Sequence, residues 1–397
     1  MKLRSLTAFE VPIELKAPFR HASHVRRHND TLIVRCELAD GSVGWGEGLP
    51  RTYVTGESIG SVWRHLEATN FEQLADVDFV SPVDAVAALA GFCLAKVPAD
   101  QGVIPRECFG NSVRCAVELA LLDAVCRSTD CSLGDVIFDL PAAPKLSERR
   151  GEVCYSGVMA AATGLRQWRS PLKMKMFGFR QVKIKVGTTG IDDVASVARA
   201  RRILGQRVDL RLDANEAWDC GELVTKIQAL EPFRPTCLEQ PVPHCQVQGL
   251  ADVKSHITTP IMLDESLCCE ADARRAVAEG TCDLFNLRIS KCGGILTCVR
   301  LAALARQHGL GYQLGCQVGE TGILSAAGRH FACNIGQIRY LEGSYDRFLV
   351  RGSVTKEDLT FRFGGRAPRL DGPGLGITVD EAAIQHSAVR KRFLIGG

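Results

Sequence analysis

Apolar, strand-like runs recur at a nearly constant interval through the middle of the chain, and each of them ends near a charged residue. The runs are QVKIKVG, VDLRLDAN, TCLEQP, PIMLDES and LFNLRISKCGG. Their charged residues lie about 26 positions apart, which is the combined length of one strand, one helix and two short loops. The pattern predicts consecutive parallel strands joined by helices, as in a (β/α) barrel.

The two halves of the chain differ in this rhythm. Residues 1–135 show two strand-like stretches with a turn near Asp40 and Gly41, followed by helical patterns, which predicts an α+β unit. The expected fold class is therefore α/β, with a (β/α)7–8 TIM-type barrel in residues 136–354 and an α+β capping domain in residues 1–135. The predicted barrel strands cover residues 152–158, 181–186, 208–213, 236–239, 260–264, 284–290, 311–316 and 338–342.

The carboxyl ends of parallel barrel strands converge on one face, so the charged strand ends are expected to form a single site. Three carboxylates, Asp213, Glu239 and Asp264, would meet the amines of Lys183, Lys185 and Lys291 there. Two carboxylates about 4 Å apart repel each other by roughly 4 kcal/mol at an effective dielectric near 20, so a divalent cation is expected between them. Oxygen-only ligands favour Mg²⁺, with Mn²⁺ possible.

Strand parity supports the inward direction of most of these side chains. Lys183 and Lys185 share one face of their strand, as Asp213 and Asn215 share one face of the next. Lys291 does not share the parity of Asn286, Arg288 and Ser290, and it is therefore placed just beyond the strand end, where parity no longer applies.

Composition narrows the possible partners. The 397 residues are 46% hydrophobic and 23% charged with a net charge of +3, and no basic block suggests a nucleic-acid partner. No apolar run reaches the roughly 18 residues of a membrane span, and the amino terminus lacks a signal-peptide pattern, so a cytoplasmic protein without membrane partners is expected. The seventeen cysteines include no C-x-x-C pair and are expected to be mostly buried free thiols.

The ordered set of Lys183, Lys185, Asp213, Glu239, Asp264 and the lysine of SKCGG resembles the enolase superfamily, specifically its muconate lactonizing enzyme subgroup. The subgroup contains muconate cycloisomerases, dipeptide epimerases and o-succinylbenzoate synthases. The segments GWGEGLPRTYVTGES and SVRCAVELALLDAVCR extend the resemblance into the amino-terminal half. The resemblance implies that the tail, residues 355–397, completes the capping domain. It also implies a homo-oligomer, since relatives with this architecture often form symmetric assemblies.

The resemblance further implies a role for each residue of the set. Asp213, Glu239 and Asp264 would bind Mg²⁺, Lys185 and Lys291 would be an acid/base pair on opposite faces of the substrate carbon, and Lys183 would stabilise the anionic intermediate. The predicted reaction removes a proton alpha to the carboxylate of a small molecule through an enediolate, with racemisation or epimerisation of an amino-acid derivative as the leading hypothesis. A muconate-type cycloisomerase, an o-succinylbenzoate synthase-type lyase and a non-catalytic barrel that binds a metal and an anion are the alternatives.

Substrate-binding residues are expected in the cap and after the last barrel strands. The candidates are Arg20, His24, Arg51, Tyr53, Gln317, Glu320 and Glu342. The basic loop 20–28 either recognises a substrate anion or is an ordinary solvated loop. Dipeptide epimerases of the subgroup usually carry a D-x-D at the eighth strand to hold the substrate ammonium, whereas this chain reads YLEGSYD, which argues against a dipeptide substrate.

Overall fold

The computed structural model describes residues 1–20, 25–142 and 145–396. The amino-terminal region is an antiparallel sheet followed by helices, as its sequence pattern predicts. Its elements are β1 (Leu3–Arg20), β2 (Val25–Leu38), β3 (Val43–Gly48), α1 (Ile59–Ala68), α2 (Glu72–Ala75), α3 (Pro82–Gly91), α4 (Asn111–Ser128) and α5 (Leu133–Asp139). The predicted turn near Asp40 and Gly41 joins β2 to β3, and Gly41 adopts the positive φ of 87° that this turn requires.

The barrel follows, with seven parallel strands in the order β11-β10-β9-β8-β7-β6-β5. This part of the chain contains β4 (Glu152–Cys154), which lies outside the barrel sheet, and then β5 (Gly157–Met159), α6 (Arg166–Met176), β6 (Gln181–Lys185), α7 (Asp193–Leu204), β7 (Asp209–Asp213), α8 (Cys220–Leu230), β8 (Cys237–Glu239), α9 (Leu250–Lys254), β9 (Ile261–Leu263), α10 (Glu270–Glu279), β10 (Leu284–Leu287), α11 (Ile295–Gln307), β11 (Gly311–Leu314), α12 (Gly322–Asn334) and α13 (Asp346–Leu349). Short 3-10 helices cover Glu231–Phe233 and His244–Gly249.

An extended segment around Leu341 closes the barrel at the eighth position. Leu341 forms a parallel bridge with Leu314 of β11, and its carbonyl oxygen accepts a hydrogen bond of 2.8 Å from the backbone N–H of Ser156, next to β5. The predicted eighth strand is thus a single bridge. The predicted first strand, 152–158, divides into β4 and β5, because β4 pairs with a strand of the carboxyl-terminal tail.

That tail contains a 3-10 helix (Phe363–Gly365), β12 (Arg366–Pro368), α14 (Glu381–Ser387) and β13 (Arg390–Ile395). β12 is the partner of β4, and β13 is the edge strand of the amino-terminal sheet, whose order is β13-β1-β2-β3. The two ends of the chain therefore meet in one sheet. The exact division at residues 135 and 355 stays a prediction.

The glycines of the GWGEG motif explain how α4 packs on the sheet. Gly44, Gly46 and Gly48 lie on one face of β3, and a Cβ atom on Gly46 would lie 1.9 Å from the carbonyl oxygen of Ala116. Backbone therefore packs directly on backbone. On the opposite face, Glu47 accepts hydrogen bonds from Thr321 and Leu324 at the start of α12, which fixes the cap to the barrel.

The sequence predicts a basic loop over residues 20–28, but β1 ends only at Arg20 and β2 begins at Val25. Both strands extend into this region, with Glu14 opposite His28 and Arg20 opposite Val25.

Ten of the seventeen free cysteines are buried. Within the described ranges, none of the helices is long and apolar enough to cross a bilayer.

Candidate active site

A cavity of about 600 Å³ lies between the carboxyl ends of the barrel strands and the cap. Lys183, Lys185 and Asp213 line it from β6 and β7, and Glu342 lines it from the eighth position. Arg51, Tyr53 and Val54 of the cap lie on another side. Its position at this end of the barrel is the one where strand ends of this fold gather their side chains.

The three predicted ligand acids belong to one network of buried ion pairs. The amine of Lys183 lies 3.1 Å from Asp213 Oδ2 and 3.1 Å from Glu239 Oε2. Arg288 pairs with Asp264 and lies 3.7 Å from Glu239 Oε1. The structure therefore brings Asp213, Glu239 and Asp264 together, with a cation between each neighbouring pair.

The donor set of this network suits a hard divalent cation, although its side chains are not arranged around one point. The three carboxylates supply only oxygen and are almost wholly buried. Burial and the neighbouring carboxylates raise the pKa of Glu239 to about 8, although Lys183 opposes the shift. In the part of the chain that the structure describes, no three His, Cys, Asp or Glu side chains are placed to hold a metal as they stand. Ligation would require the acids to exchange their lysine and arginine partners for the ion.

Lys183 is held as a cation. Burial alone would lower the pKa of its amine, but Asp213, Glu239 and Glu342 together raise that pKa well above the usual value. The amine lies 3.0 Å from Glu342 Oε1 in addition to its two other carboxylates. It is a fixed positive charge on the cavity floor.

Lys185 is the amine that opens toward the cavity. Its side chain is half-buried, and its Nζ donates a hydrogen bond of 2.5 Å to Oδ1 of Asn215. Asn215 has a φ of +45°, and its backbone N–H donates to Asp213 Oδ1 at 3.1 Å. A strained residue beside a candidate ligand positions this amine next to the carboxylate network.

Lys291 lies elsewhere, in the turn after β10. It is fully buried, it does not line the cavity, and its amine donates hydrogen bonds to the carbonyl oxygens of Asp264 and Asn286, both at 2.8 Å, and to Asp264 Oδ1 at 2.9 Å. Although burial opposes it, Asp264 raises the pKa of this amine above its usual value. The structure confirms the expected place beyond the strand end but does not bring the amine of Lys291 to the cavity.

Arg288 lines the cavity instead, just after β10. In the strand order, β6 and β10 are four positions apart in either direction once the segment around Leu341 closes the barrel, so they lie on opposite sides. A guanidinium rather than an amine therefore faces Lys185 across the barrel. Sequence reasoning missed this residue, although Arg288 shares the parity of Asn286, which donates to Glu239 at 2.8 Å.

Arg211 is a second buried cation that sequence reasoning missed. Its guanidinium donates to Glu342 Oε1 at 2.7 Å and stacks 4.4 Å from the ring centroid of Tyr340. It shares the parity of Asp213 on β7, which was the available signal. Because Glu342 pairs with both Arg211 and Lys183, its carboxylate is already compensated and is a poor acceptor for a substrate ammonium.

The predicted substrate-binding residues divide into two groups. Arg51, Tyr53, Gln317 and Glu342 line the cavity, whereas Glu320 does not line it and accepts a 2.6 Å hydrogen bond from the backbone N–H of Gln317. Arg20 is the last residue of β1, and His24 lies outside the described residues.

Aromatic side chains form the wall that the sequence did not predict. Phe177 stacks on Phe179 at 4.9 Å, and Phe361 contacts Phe179 at 5.6 Å and Tyr345 at 5.2 Å between ring centroids. All four line the cavity. Phe177 and Phe179 lie in the turn between α6 and β6, whereas Tyr345 precedes α13 and Phe361 lies in the tail, so no local pattern marks them.

Comparison with known proteins gives two family matches that together span most of the chain. Residues 3–137 match the model described as the mandelate racemase/muconate lactonizing enzyme amino-terminal domain, and residues 169–383 match the model described as enolase C-terminal domain-like.

Individual relatives align over nearly their full length. A hydrophobic dipeptide epimerase from Enterococcus faecalis is 30% identical, with 92% of each chain covered, and a chloromuconate cycloisomerase from Cupriavidus necator is 24% identical, covering 97% of this chain and 99% of its own. A crystal structure of a dipeptide epimerase from Enterococcus faecalis, complexed with Mg and the dipeptide L-Leu-L-Tyr, superimposes with a TM-score of 0.79 at 26% identity. The superposition covers 95% of this chain and 100% of that one.

Proposed function

The chain belongs to the mandelate racemase/muconate lactonizing enzyme group of the enolase superfamily and is therefore an isomerase, and we propose that it acts on a small carboxylic acid by removing the proton alpha to the carboxylate. The observation that carries the proposal is the half-buried amine of Lys185, which opens on a cavity beside the network of three buried carboxylates. The reaction requires at least a base and, next to it, a site that can hold a divalent cation.

Asp213, Glu239 and Asp264 would hold Mg²⁺, with Mn²⁺ as a possible substitute. Their oxygen-only chemistry and their mutual repulsion support this assignment, as does the Mg in the related epimerase structure. When bound, the ion would act as a Lewis acid that stabilises negative charge on the substrate carboxylate as the alpha proton leaves.

The side chains of this chain have separate tasks. Lys185 would accept the alpha proton at its Nζ and return it, while Asn215 orients that amine through its Oδ1. Lys183 keeps Glu342 as a carboxylate partner at 3.0 Å when Asp213 and Glu239 turn to the ion, and it would offer positive charge to the oxygen atoms of the enediolate. The aromatic wall excludes water from one side of the cavity.

The placement of Arg288 and Lys291 favours chemistry with one amine. A guanidinium is not deprotonated in proteins, so Arg288 cannot accept the proton on the face opposite Lys185. Lys291, with its amine bound to two carbonyl oxygens and a carboxylate, has no path to the substrate in this arrangement. The best supported isomerisation is thus of the cycloisomerase kind, in which one proton transfer at the alpha carbon accompanies the making or breaking of a bond at the neighbouring carbon.

Racemisation or epimerisation is the second candidate, and the 30% identity to a dipeptide epimerase favours it. It requires a proton donor on the second face of the substrate carbon, which only a rearrangement after β10 would supply. The assignment of Lys291 as the second acid/base therefore stays a prediction that the present geometry does not favour.

The test is exchange of the alpha proton with solvent. Candidate carboxylates, including muconolactone-like lactone acids and N-acyl amino acids, would be incubated in D₂O with and without MgCl₂ and followed by proton NMR. We expect exchange that requires Mg²⁺ and is lost in Lys185→Met. Exchange that persists in Lys185→Met would overturn the role of Lys185, and exchange that is indifferent to chelation would overturn the metal site.

A further inference from the structure

One corner of the cavity contains two buried polar side chains whose interactions are incomplete. Arg51 is 4% exposed and Gln317 is 3% exposed, and both line the cavity. They are neighbours, since Arg51 donates a 3.1 Å hydrogen bond to the carbonyl oxygen of Val318. We call this pair the Arg51–Gln317 corner.

The guanidinium of Arg51 is a buried charge without a matching anion. Its hydrogen bonds go to neutral oxygens, namely Pro50 O at 2.7 Å, Asn29 Oδ1 at 3.1 Å and Val318 O. No carboxylate in residues 1–20, 25–142 or 145–396 forms an ion pair with it. Burial and the neighbouring charge of Arg26 lower the pKa of Arg51 to about 9, because both make its charged form less favourable. Glu320 and Asp30 act on this guanidinium only from beyond ion-pair distance, so an anionic ligand in the cavity would be its direct partner.

The amide of Gln317 gives an independent indication of a ligand. Neither its Nε2 nor its Oε1 has a hydrogen-bond partner among the described residues, although both atoms are buried. Its backbone N–H, by contrast, is satisfied by Glu320. Unpaired buried amides are rare because each one costs the free energy of its lost hydration. A ligand oxygen in the cavity would satisfy the Nε2 group of Gln317 while it pairs with Arg51.

We propose that the Arg51–Gln317 corner binds a second, distal carboxylate of the substrate, so that the substrate is a dicarboxylic acid. The inference rests on the proposed function, in which the first carboxylate lies at the Asp213, Glu239 and Asp264 cluster. The apolar body of the molecule would lie against the aromatic wall of Phe177, Phe179, Tyr345 and Phe361. Glu342, the acid at the eighth barrel position, is a poor partner for a substrate ammonium group, because it is paired with Lys183 and Arg211.

Two matched probes separate this proposal from simple apolar binding. N-succinyl-L-phenylalanine carries a distal carboxylate, and N-butyryl-L-phenylalanine has a methyl group in its place. Isothermal titration calorimetry on the full-length Lys185→Met protein with MgCl₂ would measure binding without turnover. We expect the succinyl compound to bind at least tenfold more tightly, as a charge-assisted hydrogen bond to a buried guanidinium allows.

Single substitutions test whether the Arg51–Gln317 corner causes the preference for the succinyl compound. Arg51→Met should abolish the preference by weakening only the succinyl compound. Gln317→Leu, which loses no side-chain hydrogen bond in the described structure, should reduce it severalfold. Lys173→Met is the matched control, because Lys173 lines the cavity as an exposed cation on α6.

Four results would overturn the proposal: equal binding of the two probes, binding of neither, a preference that survives Arg51→Met, or a preference that is lost only in Lys173→Met. Failure of alpha-proton exchange in the wild-type enzyme would instead overturn the proposed function, and the binding comparison in Lys185→Met does not depend on that result.

Discussion

Replacement of Lys185 and of Lys291 by methionine should have opposite consequences, although both changes remove one amine and keep the length of the side chain. Lys291 is fully buried and its amine donates to three oxygen atoms, one of which belongs to the carboxylate of Asp264. Its loss leaves that buried carboxylate with Arg288 as its remaining cation. Lys185 is half-buried, and its loss leaves Asn215 in contact with the cavity.

The magnitudes follow from these environments. Removal of one partner from a buried ion pair costs about 3–5 kcal/mol, so Lys291→Met should lower the free energy of unfolding by that amount. Lys185→Met removes a partly exposed hydrogen bond and should cost about 1 kcal/mol. Loss of a general base slows proton transfer by roughly 10²–10⁴-fold, so Lys185→Met should lose exchange at that scale, whereas Lys291→Met at saturating Mg²⁺ should keep it within about tenfold of wild type.

Urea unfolding followed by circular dichroism gives the stability of each variant, and proton NMR in D₂O gives the exchange rate per folded molecule. The reasoning is refuted if Lys291→Met unfolds at the wild-type urea concentration yet loses exchange, because Lys291 would then act on the substrate rather than hold Asp264.

Three further predictions test other parts of the structure. Mg²⁺ at a hundredfold excess over its Kd should stabilise the wild-type protein by about 2.7 kcal/mol in thermal unfolding, and Glu239→Gln should remove this effect; equal stabilisation of both proteins would place the ion elsewhere. Burial lowers the pKa of His330 from 6.5 to about 4, so the unfolded state takes up a proton before the folded state does, and stability should fall as the pH drops from 6.5 to 4. The loss should reach about 3 kcal/mol and be absent from His330→Gln, and parallel pH profiles of the two proteins would contradict it. Gly46→Ala would place a Cβ atom 1.9 Å from Ala116 O and should prevent stable packing of α4 on β3, whereas Gly91→Ala, whose Cβ meets nothing within 4 Å, should be tolerated; a soluble Gly46→Ala protein with wild-type unfolding would show that this contact relaxes.

The barrel could be predicted from sequence because its evidence is local and periodic. The strand ends at Asp213 and Glu239 fall at the predicted positions, since the length of a βα unit and the alternation of side chains on a strand are fixed by backbone geometry. The same alternation places the side chains of Arg211 and Arg288 on the inward face of the barrel. Alternation alone does not show which inward-facing residues belong to the site.

Other features of the site depend on contacts that no local pattern records. The direction of Lys291 is set by the turn after β10, where the carbonyl oxygens of Asp264 and Asn286 accept from its amine. The aromatic wall joins side chains from separate loops, and the corner depends on Arg51 of the cap meeting Val318 of the barrel. Sequence placed Arg51 and Gln317 near the substrate, but only the structure shows that their polar groups are buried with incomplete interactions.

The central claim is that a single amine, that of Lys185, transfers the alpha proton on one face of the substrate. Its most direct test is the stereochemical course of exchange: single enantiomers of N-acyl amino acids would be incubated with the wild-type enzyme and Mg²⁺ in D₂O, with the alpha proton followed by NMR and the configuration by chiral chromatography. We predict deuterium at the alpha carbon with the original configuration retained, and no exchange in Lys185→Met. Accumulation of the deuterated opposite enantiomer would contradict the claim, because a second acid/base would then have to reach the other face.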